Sequence, residues 1–194
     1  MNYRRSAILS LALLATPVWA KPVTYLVSAN DSSTVNFTMR CPKGMVEGRF
    51  QQFGAQIVYD RLNYKGSSVN FSVQSTSVAT DNKQRDEAIR SFQCLDTHRF
   101  PKIEFHSKEI VWRGKNKMDV IGDLSIHGVT RRLTASVTDL GNSPGLGREV
   151  ETFETEFVLK PRDFGVPINH SLDPGGTVLT DEVPVKLVMS AAAQ

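Results

Sequence analysis

The chain has 194 residues, 40% of them hydrophobic, with 23 Lys and Arg against 20 Asp and Glu; that length suffices for one domain with a sizeable core. Setting aside residues 1–20 removes Arg4 and Arg5 and no acid, which leaves 21 basic and 20 acidic residues, a net charge of +1. The basic residues are scattered, so neither charge nor its pattern points to nucleic acid, which calls for a basic patch or stripe.

The N-terminus reads as an export signal. Arg4 and Arg5 form a positive start, Ala7–Ala15 is a short apolar run, and Val18-Trp19-Ala20 ends it in a small-x-small pattern. The apolar run is far shorter than the ~20 residues that span a bilayer as a helix. The expectation is a signal peptide over 1–20, cleaved after Ala20, and a single domain over 21–194 delivered to the periplasm.

From Val23 onward the apolar period is two, the mark of strands with one apolar and one wet face. Val35, Phe37 and Met39 alternate with Thr34, Asn36 and Thr38; Val69, Phe71 and Val73 alternate with Ser68, Asn70 and Ser72. Ile103 and Phe105 follow on one face of a later strand. Phe153, Phe157 and Leu159 alternate with Glu154, Glu156 and Lys160, and Val183, Val185, Leu187 and Met189 share a parity near the C-terminus. Turn signals separate these runs: Pro42-Lys43-Gly44, Lys65-Gly66-Ser67, the two-residue hairpin candidate His127-Gly128, and longer loops at Gly141–Gly147 and Asp173–Gly176. About eight to ten strands result, many of them antiparallel neighbours. The fold class is all-β, a barrel or a sandwich, with one short helical insertion.

That insertion lies in Arg85–Ser107. Asp81 is the expected helix cap with Gln84 three residues on, Lys83–Glu87 and Asp86–Arg90 are i,i+4 pairs, and Ala88, Ile89, Phe92 and Leu95 form one apolar stripe. A helix of about a dozen residues is marginal alone, so the stripe is expected to pack down on the sheet or over a barrel end. Phe100-Pro101 stops the helix. Cys41 and Cys94 are the only cysteines. In an exported protein an even count favours a disulfide; free thiols, or a metal site with His98, are the alternatives. A disulfide would staple Arg85–Phe100 to the strand of Phe37 and Met39 as a lid or plug.

Catalytic spacings are missing. There is no GxSxG, HExxH or CxxC, and His98, His106, His127 and His170 share no metal-ligand spacing. The acidic pairs Asp119/Asp123 and Glu154/Glu156 read as wet strand faces, with nothing to desolvate them. The sequence thus points away from an enzyme and calls for no cofactor or metal. A closed sheet of about eight strands can be filled by its own side chains or hold one slender ligand, and periodicity alone does not separate the two.

One set of residues goes further. Thr80, Arg85-Asp86, Phe100-Pro101, Ile103, Phe105 and Ser107 are followed by the run Gly122–Thr130 (GDLSIHGVT), with Val46-x-Gly48-x-Phe50 before and Asp163-Phe164-Gly165 after. In order and spacing this resembles the YceI-like family of bacterial periplasmic proteins. The resemblance implies a lipocalin-like antiparallel β-barrel around a long apolar channel, binding a polyisoprenoid, an isoprenoid quinone or another fatty amphiphile. The chain departs from the family at Asp31-Ser32-Ser33, at Arg40-Cys41 and at Cys94. On this view the residues expected to touch the tail are Val35, Phe37, Met39, Val69, Phe71, Val73, Phe105, Leu124, Ile126, Phe153, Phe157, Val185 and Leu187. The function implied is carriage or sequestration of that ligand. The other readings are an accessory partner of a membrane cytochrome or a stress-response complex, with the lipid incidental, and an enzyme on the same scaffold. Transient contact with the membrane or a membrane cytochrome, and a homodimer, are the further partners considered.

Overall fold

The computed structural model describes residues 22–29, 32–41, 44–61, 63–145, 148–167 and 181–194. The export segment 1–20, His170 and the loop Asp173–Gly176 lie outside them. Among the described residues, eleven strands and one α-helix follow one another: β1 (Val23–Ser28), β2 (Thr34–Cys41), β3 (Gly44–Phe50), β4 (Phe53–Tyr59), β5 (Ser68–Gln74), the two-residue β6 (Val78–Ala79), α1 (Lys83–Arg90), β7 (Lys102–Gly114), β8 (Lys117–Ile126), β9 (Val129–Gly145), β10 (Arg148–Leu159) and β11 (Val183–Ala193).

Eight of the strands close into an antiparallel barrel, in the order β1-β4-β5-β7-β8-β9-β10-β11, and the pairs Tyr25↔Ala193 and Leu26↔Ala192 join the last strand to the first. Lower on β11 the same edge is taken by β2, through Val185↔Phe37 to Val188↔Thr34. β2 continues into a hairpin with β3, and β3 meets β6 just before α1. The β2–β3 hairpin thus extends the wall along the part of β11 that β1 leaves unpaired.

The turns follow local chemistry. His127 and Gly128 carry φ of 51° and 75°, and Lys115 and Asn116 carry 48° and 58°, so both hairpins use the left-handed two-residue turns that match strand twist. The expected loop at Gly141–Gly147 is instead mostly strand: β9 runs to Gly145 and β10 starts at Arg148. Its glycine signal belongs to a bulge. The register passes from Thr152↔Gly141 to Phe153↔Asp139, leaving Leu140 unpaired with Gly141 at φ +89°.

The helix differs from expectation in three ways, each with a local cause. It has eight residues, and its cap is Asn82, whose side chain accepts from the Arg85 amide. Asp81 instead sits at φ 59° and pairs with Arg49 at 2.9 Å. Asp86 is buried, where it accepts from both the amide and the hydroxyl of Thr80, and Arg90 donates to the carbonyls of Thr76 and Val78. Phe92 does not pack down: it is 74% exposed, while Ile89 and Cys94 are buried in its place.

The disulfide expected between Cys41 and Cys94 is not formed. Cys94 is a free, buried thiol, and the side chain of Cys41 lies outside the described residues. Burial pushes the Cys94 thiol up to about 12, so it is a small apolar filler without nucleophilic character.

Candidate functional site

Two apolar cavities lie end to end inside the barrel, the upper one walled by β4, β5 and β7–β11, the lower one by β7, β8, β10 and β11 together with the β2–β3 hairpin. The upper one is lined by β4 (Ala55, Ile57, Tyr59), β5 (Val69, Phe71), β7 (Phe105, Ile110), β8 (Met118, Val120, Leu124), β9 (Leu133, Ala135, Val137), β10 (Phe153, Phe157) and β11 (Leu187, Met189). The lower one is lined by Phe37, Met39, Phe50, Ile103, Ile126, Leu159, Val183 and Val185 from the strands. Its floor is Ile89, Cys94 and Leu95 of the helical segment, with Phe164 and Val166 beyond the Pro161–Phe164 turn.

Four strands carry the wall from one cavity into the other by a single inward step: Phe105 to Ile103, Leu124 to Ile126, Phe157 to Leu159, and Leu187 to Val185. Centres of water-sized spheres have about 130 Å³ above and about 100 Å³ below. Each space is several times the roughly 10–15 Å³ that holds one water, and an apolar space of this kind stays dry.

The expected contacts divide accordingly. Val69, Phe71, Phe105, Leu124, Phe153, Phe157 and Leu187 line the upper cavity; Phe37, Met39, Ile126 and Val185 line the lower one. Val35 and Val73 line neither and are buried in the surrounding core. Alternation also runs through β9, where Leu133, Ala135 and Val137 face in between Arg132, Thr134 and Ser136. That alternation is legible in the sequence at Leu133, Ala135 and Val137. In β4 it is blurred because Val58 stands at an outward position among Ala55, Ile57 and Tyr59.

Polar groups gather at the upper end. Tyr59 lines the cavity with its ring edge-on to Phe153, centroids 5.5 Å apart, and its hydroxyl donates to Asp139 at 3.0 Å. Burial and the Asp139 bond push this phenol up, so it remains a protonated donor. Glu151, on the inward parity of β10 two residues from Phe153, is 1% exposed. Both its carboxylate oxygens lie 2.6 Å from one Arg61 nitrogen. Burial first, and the facing Asp139 carboxyl second, push Glu151 up to about 7 against the opposing pull of Arg61. Tyr64 stacks on Trp112 at 4.7 Å beside this cluster. No local pattern joins these partners, because Tyr59 and Asp139 stand 80 positions apart in the chain and Arg61 and Glu151 stand 90 apart.

Apart from Glu154, which borders the upper cavity, the remaining candidates stay outside the cavities. His106 bonds Asn70 on the outer face at 2.9 Å, His127 packs on Phe100 in its turn, and His98 is exposed. Among the described residues no group of three His, Cys, Asp or Glu side chains could hold a metal. Asp119 is held by Arg113 and Ser136 on the wet face, and Glu154 by Lys186. The wall itself opens on one side: β10 parts from β9 below Thr155↔Val137, although β9 stays with β8 to Val129 and β10 with β11 to Leu159.

Residues 26–191 match the model of the YceI-like domain. The chain belongs to the YceI-like family. Its relatives in the family include a UPF0312 protein of Vibrio vulnificus, 32% identical over 171 residues that cover 85% of this chain and 90% of the relative. A UPF0312 protein of Vibrio parahaemolyticus is 31% identical over 159 residues, 80% and 84% of the two chains. Among solved structures, BcnA of Burkholderia cenocepacia superposes with a TM-score of 0.71 at 25% identity, covering 81% of this chain and 95% of its own. A polyisoprenoid binding domain from Saccharophagus degradans superposes with a TM-score of 0.66 at 15% identity, covering 90% and 100%, a likeness of fold. The closed eight-stranded barrel with a single helix is thus the architecture of this family.

Proposed function

We propose that the protein is a periplasmic carrier or sequestering protein for a long-chain isoprenoid, an isoprenoid quinone or a comparable fatty amphiphile. The observation that carries this reading is the pair of stacked apolar cavities inside one closed barrel, shaped for a slender chain. Burying a methylene contributes ~0.8 kcal/mol, so ten carbons offer ~8 kcal/mol before ordering costs. A full polyisoprenoid would formally exceed the ~18–21 kcal/mol ceiling on non-covalent affinity, so part of it stays loosely held or outside. The unpaired seam between lower β9 and lower β10 is the side of the wall that can yield to such a chain. The polyisoprenoid-binding description of the Saccharophagus neighbour supports the same ligand class, and the N-terminal segment supports export.

The accessory-partner reading is favoured by one observation, Phe92, which stands 74% exposed on the segment that floors the lower cavity. An exposed aromatic at that place suits transient contact with a membrane or a membrane protein. It is compatible with carriage, because a carrier must meet the bilayer that holds its ligand.

The test is to purify the protein gently from its native compartment and identify co-extracted small molecules by mass spectrometry. A stoichiometric long-chain lipid or quinone is expected. Phe71→Asp and Phe157→Asp, which place a charge in the upper cavity, should reduce loading at least tenfold, while Arg132→Gln on the outer face of β9 should leave it unchanged. Protein that carries no amphiphile, and takes up none when prenols or quinones are offered, would falsify the proposal.

A further inference from the structure

Both ends of the pair of cavities are stoppered by buried bonds. Below, the segment that carries Ile89, Cys94 and Leu95 is fastened to the strand ends. Asp86 accepts from the Thr80 amide and hydroxyl, Arg90 donates to the carbonyls of Thr76 and Val78, and the Ser75 hydroxyl donates to the Phe100 carbonyl. Above, Tyr59, Asp139 and Glu151 are buried, with Arg61 on Glu151 and the Asn116 side chain on the Asp139 carbonyl. Opening either end leaves buried donors or carboxyls without partners. The side of the barrel is different. Below Thr155↔Val137 the pairing of β9 with β10 ends. The inward side chains on the two lips of this seam, Leu133 and Ala135 of β9 and Phe157 and Leu159 of β10, are themselves walls of the cavities. Phe157 belongs to the upper cavity and Leu159 to the lower one, so the seam runs past their junction. Two hydrogen bonds bracket it. At its top the Thr155 hydroxyl donates to the Ser136 carbonyl at 2.8 Å, and at its foot Arg131 Nε donates to the Asp163 carbonyl at 3.1 Å. Both are exposed, so water can take over their partners when they break.

We propose that the seam between residues 129–136 of β9 and 156–159 of β10 is the portal through which an aliphatic chain enters and leaves the barrel sideways, with Thr155 and Arg131 as its latches. The inference rests on the carrier reading and adds the route that the cargo takes. Parting the lips breaks no strand pair, and the surfaces it uncovers, Leu133, Ala135, Phe157 and Leu159, are apolar and suit a hydrocarbon. A chain admitted at the junction can run up into one cavity and down into the other, so it need not be threaded from an end. A length that exceeds the cavities can lie out through the same seam, past Val158, which is 53% exposed on the outer side of its β10 lip.

The experiment loads the delipidated protein with geranylgeraniol and follows its exchange against the deuterated alcohol by mass spectrometry. Thr134 and Val158 are exposed on outward positions of the two lips, and carrying the Thr155↔Val137 register onward sets them opposite one another. Thr134→Cys with Val158→Cys, in a Cys41→Ser background, supplies two reactive thiols, since Cys94 is buried and stays protonated. A short bismaleimide tether across them should slow exchange at least about tenfold, as closing a gate does. A long flexible bismaleimide on the same thiols should leave the rate of the untethered protein. Arg131→Ala and Thr155→Val each remove one latch and should speed exchange about fivefold, the worth of one hydrogen bond. Affinity should stay unchanged in Arg131→Ala, because Arg131 lies outside the cavity walls. Asp86→Ala, which loosens the lower stopper, should leave the exchange rate as it is. Exchange indifferent to the short tether, or speeded more by Asp86→Ala than by the latch variants, would overturn the portal and leave carriage standing. The latch variants carry the test even where the tethered pair folds poorly. If the protein takes up no geranylgeraniol and no other long-chain prenol or quinone, the portal and the carrier reading fall together.

Discussion

Glu151 shows what a single inward-facing residue does in this barrel. Its position on β10 shares parity with Phe153 and Phe157, so strand geometry turns an acid into the dry interior. The folded protein then holds a proton there more tightly than the unfolded chain does, since the group is raised from 4.5 to about 7. Its stabilising contribution is complete below about pH 4.5 and is lost as the pH rises through about 7. Thermal denaturation between pH 5 and 8 should therefore show a falling midpoint. Glu151→Gln, neutral throughout, should flatten that slope and raise the midpoint at pH 8 by a few °C, on the order of what ~1 kcal/mol does in a domain of this size. A variant whose midpoint keeps the wild-type slope would show that other groups set it.

At the scale of the element, α1 is too short to persist alone, and it is held by polar anchors more than by its apolar face. Asp86 receives the Thr80 amide at 2.8 Å and its hydroxyl at 2.6 Å, and Arg85 returns to the Thr80 carbonyl. Removing the carboxylate leaves buried donors unmatched, which costs roughly 1–3 kcal/mol. Asp86→Ala should destabilise the protein by that amount. In hydrogen exchange it should loosen 81–100 first, with the barrel strands still protected. Uniform loosening of plug and barrel would mean that the segment is an integral part of the cooperative unit. The residues that make these bonds were visible in the sequence, but as i,i+4 surface pairs. The contacts differ because Asp86 and Arg90 turn inward to the strand ends around Thr76–Thr80, and helical spacing carries no information about what lies beneath a helix.

For the whole molecule, hollowness has a thermodynamic consequence. A ligand that binds only the closed barrel adds RT ln(1 + [L]/Kd) to its stability, about 2.7 kcal/mol at a hundredfold excess over Kd. Protein stripped of lipid should thus unfold several °C below the loaded form and recover when a long-chain prenol is returned. An unchanged midpoint would indicate binding outside the core.

The sequence by itself determined the strands, their inward and outward parities, the two-residue hairpin at His127-Gly128, and one helical interruption, because period and turn chemistry are local properties of the chain. It also brought eleven of the thirteen proposed contact residues to the cavity walls, since parity decides which face a side chain takes. Only the tertiary structure decided that the barrel is hollow. That depends on summed side-chain volume against the radius of a closed eight-strand ring, and on where glycine lets a ring fold flat, as at Gly48, where a Cβ would lie 2.2 Å from the Phe37 ring. Only the structure, too, left Cys94 free and Phe92 in solvent, and set Tyr59 beside Asp139 and Arg61 beside Glu151. Those meetings arise from strand order and register, which join residues 80 and 90 positions apart and leave no local trace in the chain.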